Sequence, residues 1–173
     1  FSLMNRQTVR YHSVDRVISE LKIIHQHQKE QYYLNNNMIV SIHDDAFSIN
    51  KKRAKDICKR IICEKINLRL SCLCREENMD DELIYLMNEA GLEELNMGLE
   101  SASLQILKNI KKTRKKNSVK NTNEYYNEKR FLHCVEKSLL TARRYRMTTS
   151  LSTIFGLPGE TLKDALQTIN FIE

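Results

Sequence analysis

The chain has 173 residues, of which 41% are hydrophobic; it therefore suits one domain with an apolar core, and its composition excludes wholesale disorder. Its net charge of +6 comes from one segment, 108–130, with nine basic and two acidic residues, so the near-neutral remainder gives no support for a generally basic binding face. No apolar run is long enough to cross a membrane, and five cysteines without a visible secretory signal favour reduced thiols in a cytoplasmic protein.

The spacing of hydrophobic residues predicts one helix followed by four repeats of a strand and a helix. The first helix is predicted over roughly 13–29, and the strands over 38–42, 66–71, 95–99 and 148–155. The predicted N-caps are Asn50, Asn78, Ser101 and Thr161. Such alternation is typical of an α/β fold with parallel strands and right-handed crossovers.

Both a barrel and an open doubly wound sheet fit this order of elements. No glycine-rich nucleotide fingerprint follows the first strand, which argues against the dinucleotide-binding form of the open sheet. Four strands cannot close a barrel. We therefore expect a partial (β/α) barrel that is incomplete at both ends. A chain that opens with Phe1 and stops at Glu173 inside a helical pattern fits a fragment of a longer protein.

A basic segment at about 111–129 interrupts the regular repeat. Its lysine- and asparagine-rich composition predicts a solvated, mobile insertion within one crossover. The alternative is a nucleic-acid arm, because lysine and arginine release counterions from phosphates and Tyr125 and Tyr126 can stack on bases. The sequence carries no fold signature for such binding, so the solvated loop is the favoured interpretation.

Two loops carry the strongest functional signal, Gly98 to Ser101 and Phe155 to Thr161. Each follows a predicted strand and precedes a predicted helix. Ligands of parallel α/β proteins bind at this edge of the sheet, where strand C-termini and helix N-termini meet. Glycine allows the backbone to approach a ligand closely, and a helix start offers free N–H groups to anionic oxygens.

These loops belong to five motifs that together resemble the core domain of radical S-adenosylmethionine (SAM) enzymes. The motifs are Tyr11 to Ile18, Asp44 to Arg53, Ser71 to Arg75, Gly98 to Ser101 and Phe155 to Thr161. They occur in the family's order and cover nearly the whole chain outside the basic segment. Within the family, the chain is most similar to the branch that often carries a cobalamin-binding domain.

The resemblance implies an enzyme with SAM and a [4Fe-4S] cluster, which generates a 5′-deoxyadenosyl radical or, in members that use cobalamin, transfers a methyl group. The family's cluster-binding loop, CxxxCxxC, is absent from this sequence. In the family's order that loop would fall just upstream of Phe1. We therefore interpret residues 1–173 as a partial core domain that is inactive alone, with its catalytic residues and substrate unidentified.

The resemblance also assigns roles at the edge of the sheet. Asp44 and Asp45 stand where the family contacts the amino group of SAM, although either residue can instead cap the loop. Arg75 is a candidate for the methionine carboxylate or an acidic substrate, or for a surface ion pair with a neighbouring glutamate. Glu100 stands at the ribose position, since a carboxylate accepts two hydroxyl hydrogen bonds, and Ser101 suits an N-cap better than a ligand contact.

The fourth strand carries the expected adenine site. Ser152-x-Ile154-x-Gly156 resembles the family's GxIxG motif, with serine in place of the first glycine. The backbone around Ile154 and Phe155 would hydrogen-bond adenine, and Ile154 would provide apolar cover. Pro158-Gly159 also fits a plain turn, and the turn is compatible with the ligand role.

The cysteines do not predict a metal site. Cys72 and Cys74 lie on one side of an extended chain with one residue between them, whereas zinc sites favour C-x2-4-C pairs. Cys58 and Cys63 diverge on a helix. An alternative function is a non-catalytic, barrel-like scaffold whose basic segment recruits RNA or an acidic protein. An ordinary barrel enzyme with general acid–base residues lacks a convincing set of histidine, lysine and carboxylate side chains.

Overall fold

A computed structural model of the chain describes residues 10–30, 38–44, 46–113 and 126–173. The strands are β1 (Ile39–Ile42), β2 (Arg69–Cys74), β3 (Leu92–Glu100) and β4 (Thr148–Thr153). The helices are α1 (Val14–Glu30), α2 (Lys51–Cys63), α3 (Asp81–Glu89), α4 (Leu104–Asn109), α5 (Tyr126–Arg144) and α6 (Leu162–Ile172). This order confirms the predicted helix followed by four strand–helix repeats, with the third crossover divided between α4 and α5.

The four strands form one parallel sheet in the order β1-β2-β3-β4. Consecutive strands are neighbours, as they are in a barrel, so the α/β architecture and the partial barrel expected from the sequence agree with the structure. The basic segment enters after Thr113 and rejoins the described chain at Tyr126. Its predicted mobility and its candidate base-stacking residue Tyr125 lie outside the described residues. No helix in the described part of the chain is long and apolar enough to span a bilayer.

The helices all pack against one face of the sheet, which we call the helix face. Alternate residues of β3 point into this layer, and Leu95, Met97 and Leu99 are fully buried there. Leu70, Cys72 and Cys74 of β2 meet the same core. The opposite face, which we call the open face, carries the other alternate residues.

The predicted second strand at 66–71 is wrong by about three residues, because β2 spans Arg69–Cys74. Lys65 adopts a left-handed φ of 52°, and the N–H of Ile66 donates to the carbonyl oxygen of Ile61, 3.1 Å away. Ile66 therefore closes the end of α2 with a buried side chain, as hydrophobic residues after a helix often do. Its apolar character reflects this packing and not a strand.

Two predicted caps are confirmed. Asn50 Oδ1 accepts from the N–H of Arg53 at 3.0 Å, at the start of α2. Thr161 and Asp164 form the predicted capping box at the start of α6. These contacts satisfy N–H groups that a helix start leaves without partners.

Two other predicted caps are wrong by two residues each. Asn78 belongs to a short 3-10 turn, and Asp80 caps α3 through its Oδ1, 2.7 Å from the N–H of Leu83. Ser103 caps α4 in place of Ser101, because the Ser101 hydroxyl bonds to a different helix. In both cases the chain needs two further residues after the strand before the helix begins.

Candidate functional site

The predicted site residues lie along the edge of the sheet where all four strands end. Asp44 follows β1, Arg75 follows β2, Glu100 ends β3 and Ile154 follows β4. Neighbouring strands lie about 4.8 Å apart, so the four ends span roughly 15 Å. The N–H of Ile154 donates to the carbonyl oxygen of Glu100 at 2.9 Å, which fixes the last two ends against each other. One edge therefore presents the predicted residues together.

Asp44 lies in an ion pair at the end of β1. Its Oδ2 is 3.2 Å from Nη1 of Arg53, whose side chain is only 12% exposed. The Arg53 guanidinium also donates to the carbonyl oxygen of His12 at 3.1 Å and lies over the ring of Tyr11, 5.1 Å from its centroid. Arg53 therefore joins the first and second motifs of the sequence. Asp45 lies outside the described residues.

Arg75 is held by its backbone and not by its side chain. The hydroxyl of Ser48, which is fully buried, donates to the carbonyl oxygen of Arg75 and accepts from its N–H, at 3.0 and 2.8 Å. The side chain of Arg75 is exposed. These hydrogen bonds fix the backbone of Arg75, and its guanidinium group extends toward the solvent.

Glu100 has the most constrained geometry at the edge. Its φ of 63° is left-handed, and the register between β3 and β4 shifts between Gly98 and Glu100. The side chain consequently turns back over Gly98, where an added Cβ would lie 2.8 Å from Glu100 Oε1. Lys112 donates to that oxygen at 3.3 Å. The carboxylate therefore lies on the open face above a residue that has no side chain.

The loop after β4, which is joined to the backbone of Glu100 through the N–H of Ile154, presents apolar side chains. Ile154 and Phe155 are each about half exposed, at 48% and 52%. Gly156 has a φ of 80°, and its N–H donates to Glu160 Oε2 at 2.5 Å. The same oxygen accepts from the N–H of Leu157 at 3.3 Å. Glu160 thus closes the loop after β4, in which the side chains of Ile154 and Phe155 point outward.

Ser101 lies beneath the edge. Its side chain is fully buried, and its hydroxyl is 3.2 Å from that of Thr168 on α6. Thr168 also accepts from the N–H of Ala102 at 3.0 Å, and Ser103 donates to Asp164 Oδ1 at 2.6 Å. We call these contacts the α6 latch. The latch fastens the loop after β3 to the helix after β4.

Ser152 lies on the open face, directly across from Gly98 in the register of β3 and β4. The neighbouring open-face positions, away from the edge, are mostly polar. They include Ser41, Ser71, Glu94, Asn96 and Ser150. Strands of parallel sheets with two covered faces are usually apolar on both. The polar second face is therefore not a second hydrophobic core, and its side chains can hydrogen-bond to water or to a ligand.

Among the described residues, no group of histidine, cysteine and acidic side chains is arranged to hold a metal ion. Cys72 and Cys74 lie on the helix face with their sulfurs 3.6 Å apart, and both are buried. Burial raises the pKa of the Cys58 thiol to about 12. The Cys58 thiol is therefore protonated at neutral pH, whereas a metal ligand must be a thiolate.

Comparisons with known proteins give the family. A sequence profile of the radical SAM superfamily matches residues 4–172. The chain belongs to the radical SAM superfamily. It is also 32% identical over 164 residues to an uncharacterized methyltransferase of Pyrococcus horikoshii. That match covers 94% of this chain and 30% of the relative, so the radical SAM chain spans under a third of its relative's length.

Solved structures share the fold. TsrM from Kitasatospora setae, a radical SAM methyltransferase with tryptophan and a SAM analogue bound, gives a TM-score of 0.71 at 19% identity, over 93% of this chain and 28% of TsrM. TsrM with cobalamin and a [4Fe-4S] cluster gives 0.72 at 18% identity, over 93% and 27%. OxsB, a cobalamin-dependent SAM radical enzyme, gives 0.67 at 17% identity, over 95% and 22%. None of these comparisons supports a non-catalytic scaffold.

Sequence reasoning missed three residues that shape the edge: Arg53, Lys112 and Thr168. The spacing of Asp44 and Arg53 places them nine residues apart across a loop, which predicts no contact. Lys112 looks like any other lysine of the basic segment. Thr168 occupies a helix position that periodicity alone would leave unexplained. The open-face positions of β3 had a usable signal, because Glu94 and Asn96 alternate with buried Leu95 and Met97.

Proposed function

We propose that this chain binds SAM at the C-terminal edge of its sheet and forms part of the core domain of a radical SAM enzyme that transfers a methyl group. Generation of a 5′-deoxyadenosyl radical is the related outcome. Methyl transfer is favoured because the relative from Pyrococcus horikoshii is named a methyltransferase and the neighbour TsrM is one. Bound SAM supplies either its sulfonium methyl group or its 5′-deoxyadenosyl group.

The observation that carries the proposal is the Glu100 carboxylate above Gly98, next to the apolar loop after β4. A carboxylate has enough lone pairs to accept from two neighbouring ribose hydroxyls. Ile154 and Phe155, both half exposed, can cover the faces of an adenine ring. Removing these side chains from water on binding would contribute favourable free energy.

The charged residues that follow the first two strands suit the methionine part of SAM. Asp44 can face its ammonium or sulfonium charge, and Asp45 is proposed for the same part of the ligand. The exposed guanidinium of Arg75 has the geometry to bind a carboxylate through two hydrogen bonds. The site thus has a charged end, which matches the methionine part of SAM, and an apolar end, which matches its adenine. Ser152 and Gly156 would border the adenine.

The cluster does not fit the described residues, which contain no suitable set of ligands. Its ligands are proposed to lie upstream of Phe1. Cobalamin, which TsrM binds, is a candidate cofactor of the full-length protein. No residue of this chain is assigned to it.

The test uses the full-length protein, reconstituted anaerobically with iron and sulfide. We expect tight binding of SAM by calorimetry, and formation of S-adenosylhomocysteine or 5′-deoxyadenosine on addition of a reductant. Glu100→Gln should weaken SAM binding about tenfold or more, because an amide loses the charge-assisted hydrogen bonds to the hydroxyls.

Glu20→Gln is the matched control. Glu20 pairs with Arg16 on the solvent side of α1, where the two side chains are 55% and 60% exposed. This variant removes the same charge far from the edge and should bind SAM like the wild type. Absence of both products from the reconstituted protein, or equal SAM affinity in Glu100→Gln and Glu20→Gln, would refute the proposal.

A further inference from the structure

The basic segment contains one lysine whose position differs from that of its described neighbours. Lys108, Lys111, Lys129 and Arg130 are exposed, whereas the side chain of Lys112 is only 23% exposed. Its Nζ is 3.3 Å from Glu100 Oε1 and lies over the ring of Phe131, 5.5 Å from the centroid. A run of like charges is ordinarily a solvated surface. Lys112 instead belongs to the edge where the strands end.

Hydrogen bonds on either side of Lys112 in the sequence fix the position of its backbone. Lys111 adopts a left-handed φ of 54°, and the N–H of Lys112 donates to the carbonyl oxygen of Leu107 at 3.1 Å, which ends α4 in a tight turn. On the other side, Thr113 donates its hydroxyl to Glu128 Oε1 at 2.7 Å. Glu128 is buried, and this hydrogen bond joins the start of the basic segment at Thr113 to its end at Glu128. The lysine therefore occupies a fixed place between two anchored turns.

The contact with Lys112 determines where the Glu100 carboxylate lies. Glu100 is 25% exposed and Lys112 is 23% exposed, so the pair is less solvated than a surface pair such as Arg16 with Glu20. A partly desolvated ion pair is screened less by water and salt. Lys112 contacts Oε1, and among the described residues Oε2 has no hydrogen-bond partner. One oxygen is therefore held while the other remains available as an acceptor.

We propose that Lys112 is a positioning residue for nucleoside recognition, which orients the Glu100 carboxylate above Gly98 so that it accepts from the vicinal hydroxyls of a ribose. The inference rests on the proposed function and deepens it. Lys112 acts through Glu100 and does not contact the nucleoside. A residue at the start of the basic segment thereby supports the ligand site indirectly, although the sequence alone presents the segment as a solvated insertion.

A ligand-based double-mutant cycle tests this role. S-adenosylhomocysteine and its 2′,3′-dideoxy analogue are titrated into the full-length, reconstituted protein by calorimetry. The variants are Lys112→Met, Lys112→Arg and Lys111→Met, the last removing the same charge from the adjacent, exposed lysine. Thermal unfolding of each variant checks that it is folded.

We expect Lys112→Met to lower the affinity for S-adenosylhomocysteine about tenfold, the scale of one charge-assisted hydrogen bond. Its affinity for the dideoxy analogue should stay within about twofold of the wild type, because that ligand has no hydroxyls for Glu100 to accept from. Lys112→Arg should retain most of the affinity, and Lys111→Met should match the wild type.

Three results would overturn the role of Lys112. Equal losses of affinity for both ligands in Lys112→Met would mean that the lysine only supports the fold. Unchanged affinity for both would mean that Lys112 does not orient the Glu100 carboxylate. Tighter binding of S-adenosylhomocysteine by Lys112→Met would mean that the lysine blocks the site. A reconstituted wild-type protein that binds neither SAM nor S-adenosylhomocysteine would instead remove the proposed function itself, and the inference with it.

Discussion

The two faces of the sheet differ in chemistry although they are made by alternating residues of the same strands. On β3, the helix face carries Leu95, Met97 and Leu99, all fully buried, whereas the open face carries Asn96, Gly98 and Glu100, which are partly exposed. A period of two separates these sets. The contrast means that one strand can anchor the core and present a ligand site at once.

The difference also indicates where stability and function reside. Fully buried apolar side chains stabilise a fold by removing their surface from water and filling space. Polar side chains on an open face contribute little to that core, and they leave hydrogen-bonding groups available to a ligand. We therefore expect substitutions on the two faces to have effects that separate cleanly, and two predictions test that separation.

The largest effect should come from two adjacent residues of β3 that point to opposite faces. Leu95→Ala removes a side chain with no exposed surface, and it should lower the free energy of unfolding by about 2–5 kcal/mol because a cavity remains. Asn96→Ala on the open face should lower it by less than about 1 kcal/mol. Urea denaturation followed by circular dichroism measures both. Similar losses for the two variants would contradict the division into faces.

A second prediction compares the two ends of the same strand. At Gly98 an added Cβ would lie 2.8 Å from Glu100 Oε1 and 3.1 Å from Lys112 Nζ. Both atoms end flexible side chains, so Gly98→Ala should change the free energy of unfolding by less than about 1 kcal/mol. The displaced carboxylate should nevertheless lower the affinity for S-adenosylhomocysteine about tenfold.

Gly91→Ala is the contrasting variant. Gly91 precedes β3 with a φ of 89°, and an added Cβ would lie 2.3 Å from the backbone oxygen of Leu68. Backbone atoms cannot move aside cheaply, so Gly91→Ala should destabilise the fold by more than about 1 kcal/mol. A Gly98→Ala protein that unfolds as readily as Gly91→Ala, or that binds S-adenosylhomocysteine normally, would show that the open face has no special role at Gly98.

Much of this arrangement could be predicted from the sequence, because it depends on local patterns. The periods of 3.6 and 2 give the element order and the parallel strands, and the glycine-containing loops indicate the edge at which the site is proposed. The end of α2 shows the limit, since Ile66 is apolar for packing and not for a strand. Periodicity cannot distinguish these two causes in a short segment.

The contacts that complete the candidate site depend on the conformations of loops and turns, or on residues far apart in the sequence. Arg53 reaches Asp44 across a loop, and Thr168 reaches Ser101 from 67 residues away. Lys112 is one of nine basic residues in its segment, and only the turn after α4 distinguishes it. No local sequence pattern shows which of the basic residues pairs with Glu100. That contact could be identified only from the three-dimensional structure.

The smallest effect should occur at the α6 latch, which lies beneath the edge. Hydrogen bonds from Ser103 and Thr161 lower the pKa of Asp164 from 3.8 to about 2. A carboxyl group with a lowered pKa stabilises the fold above its ordinary pKa, and that contribution is lost as the pH falls toward the folded value. Asp164→Asn should therefore lower the Tm slightly at pH 6, and the difference should shrink below pH 4 and be mostly lost by pH 2.

The control for this pH dependence is Glu20→Gln, which removes a carboxylate from an exposed pair and should change the Tm very little at any of these pH values. Thermal unfolding scans from pH 2 to pH 7 compare the three proteins. A Tm difference for Asp164→Asn that is constant with pH would mean that the latch works through the shape of the side chain and not through its charge. The loop after β3 would then be held to α6 by packing and by its uncharged hydrogen bonds to Thr168, and the charge of Asp164 would add nothing to the latch.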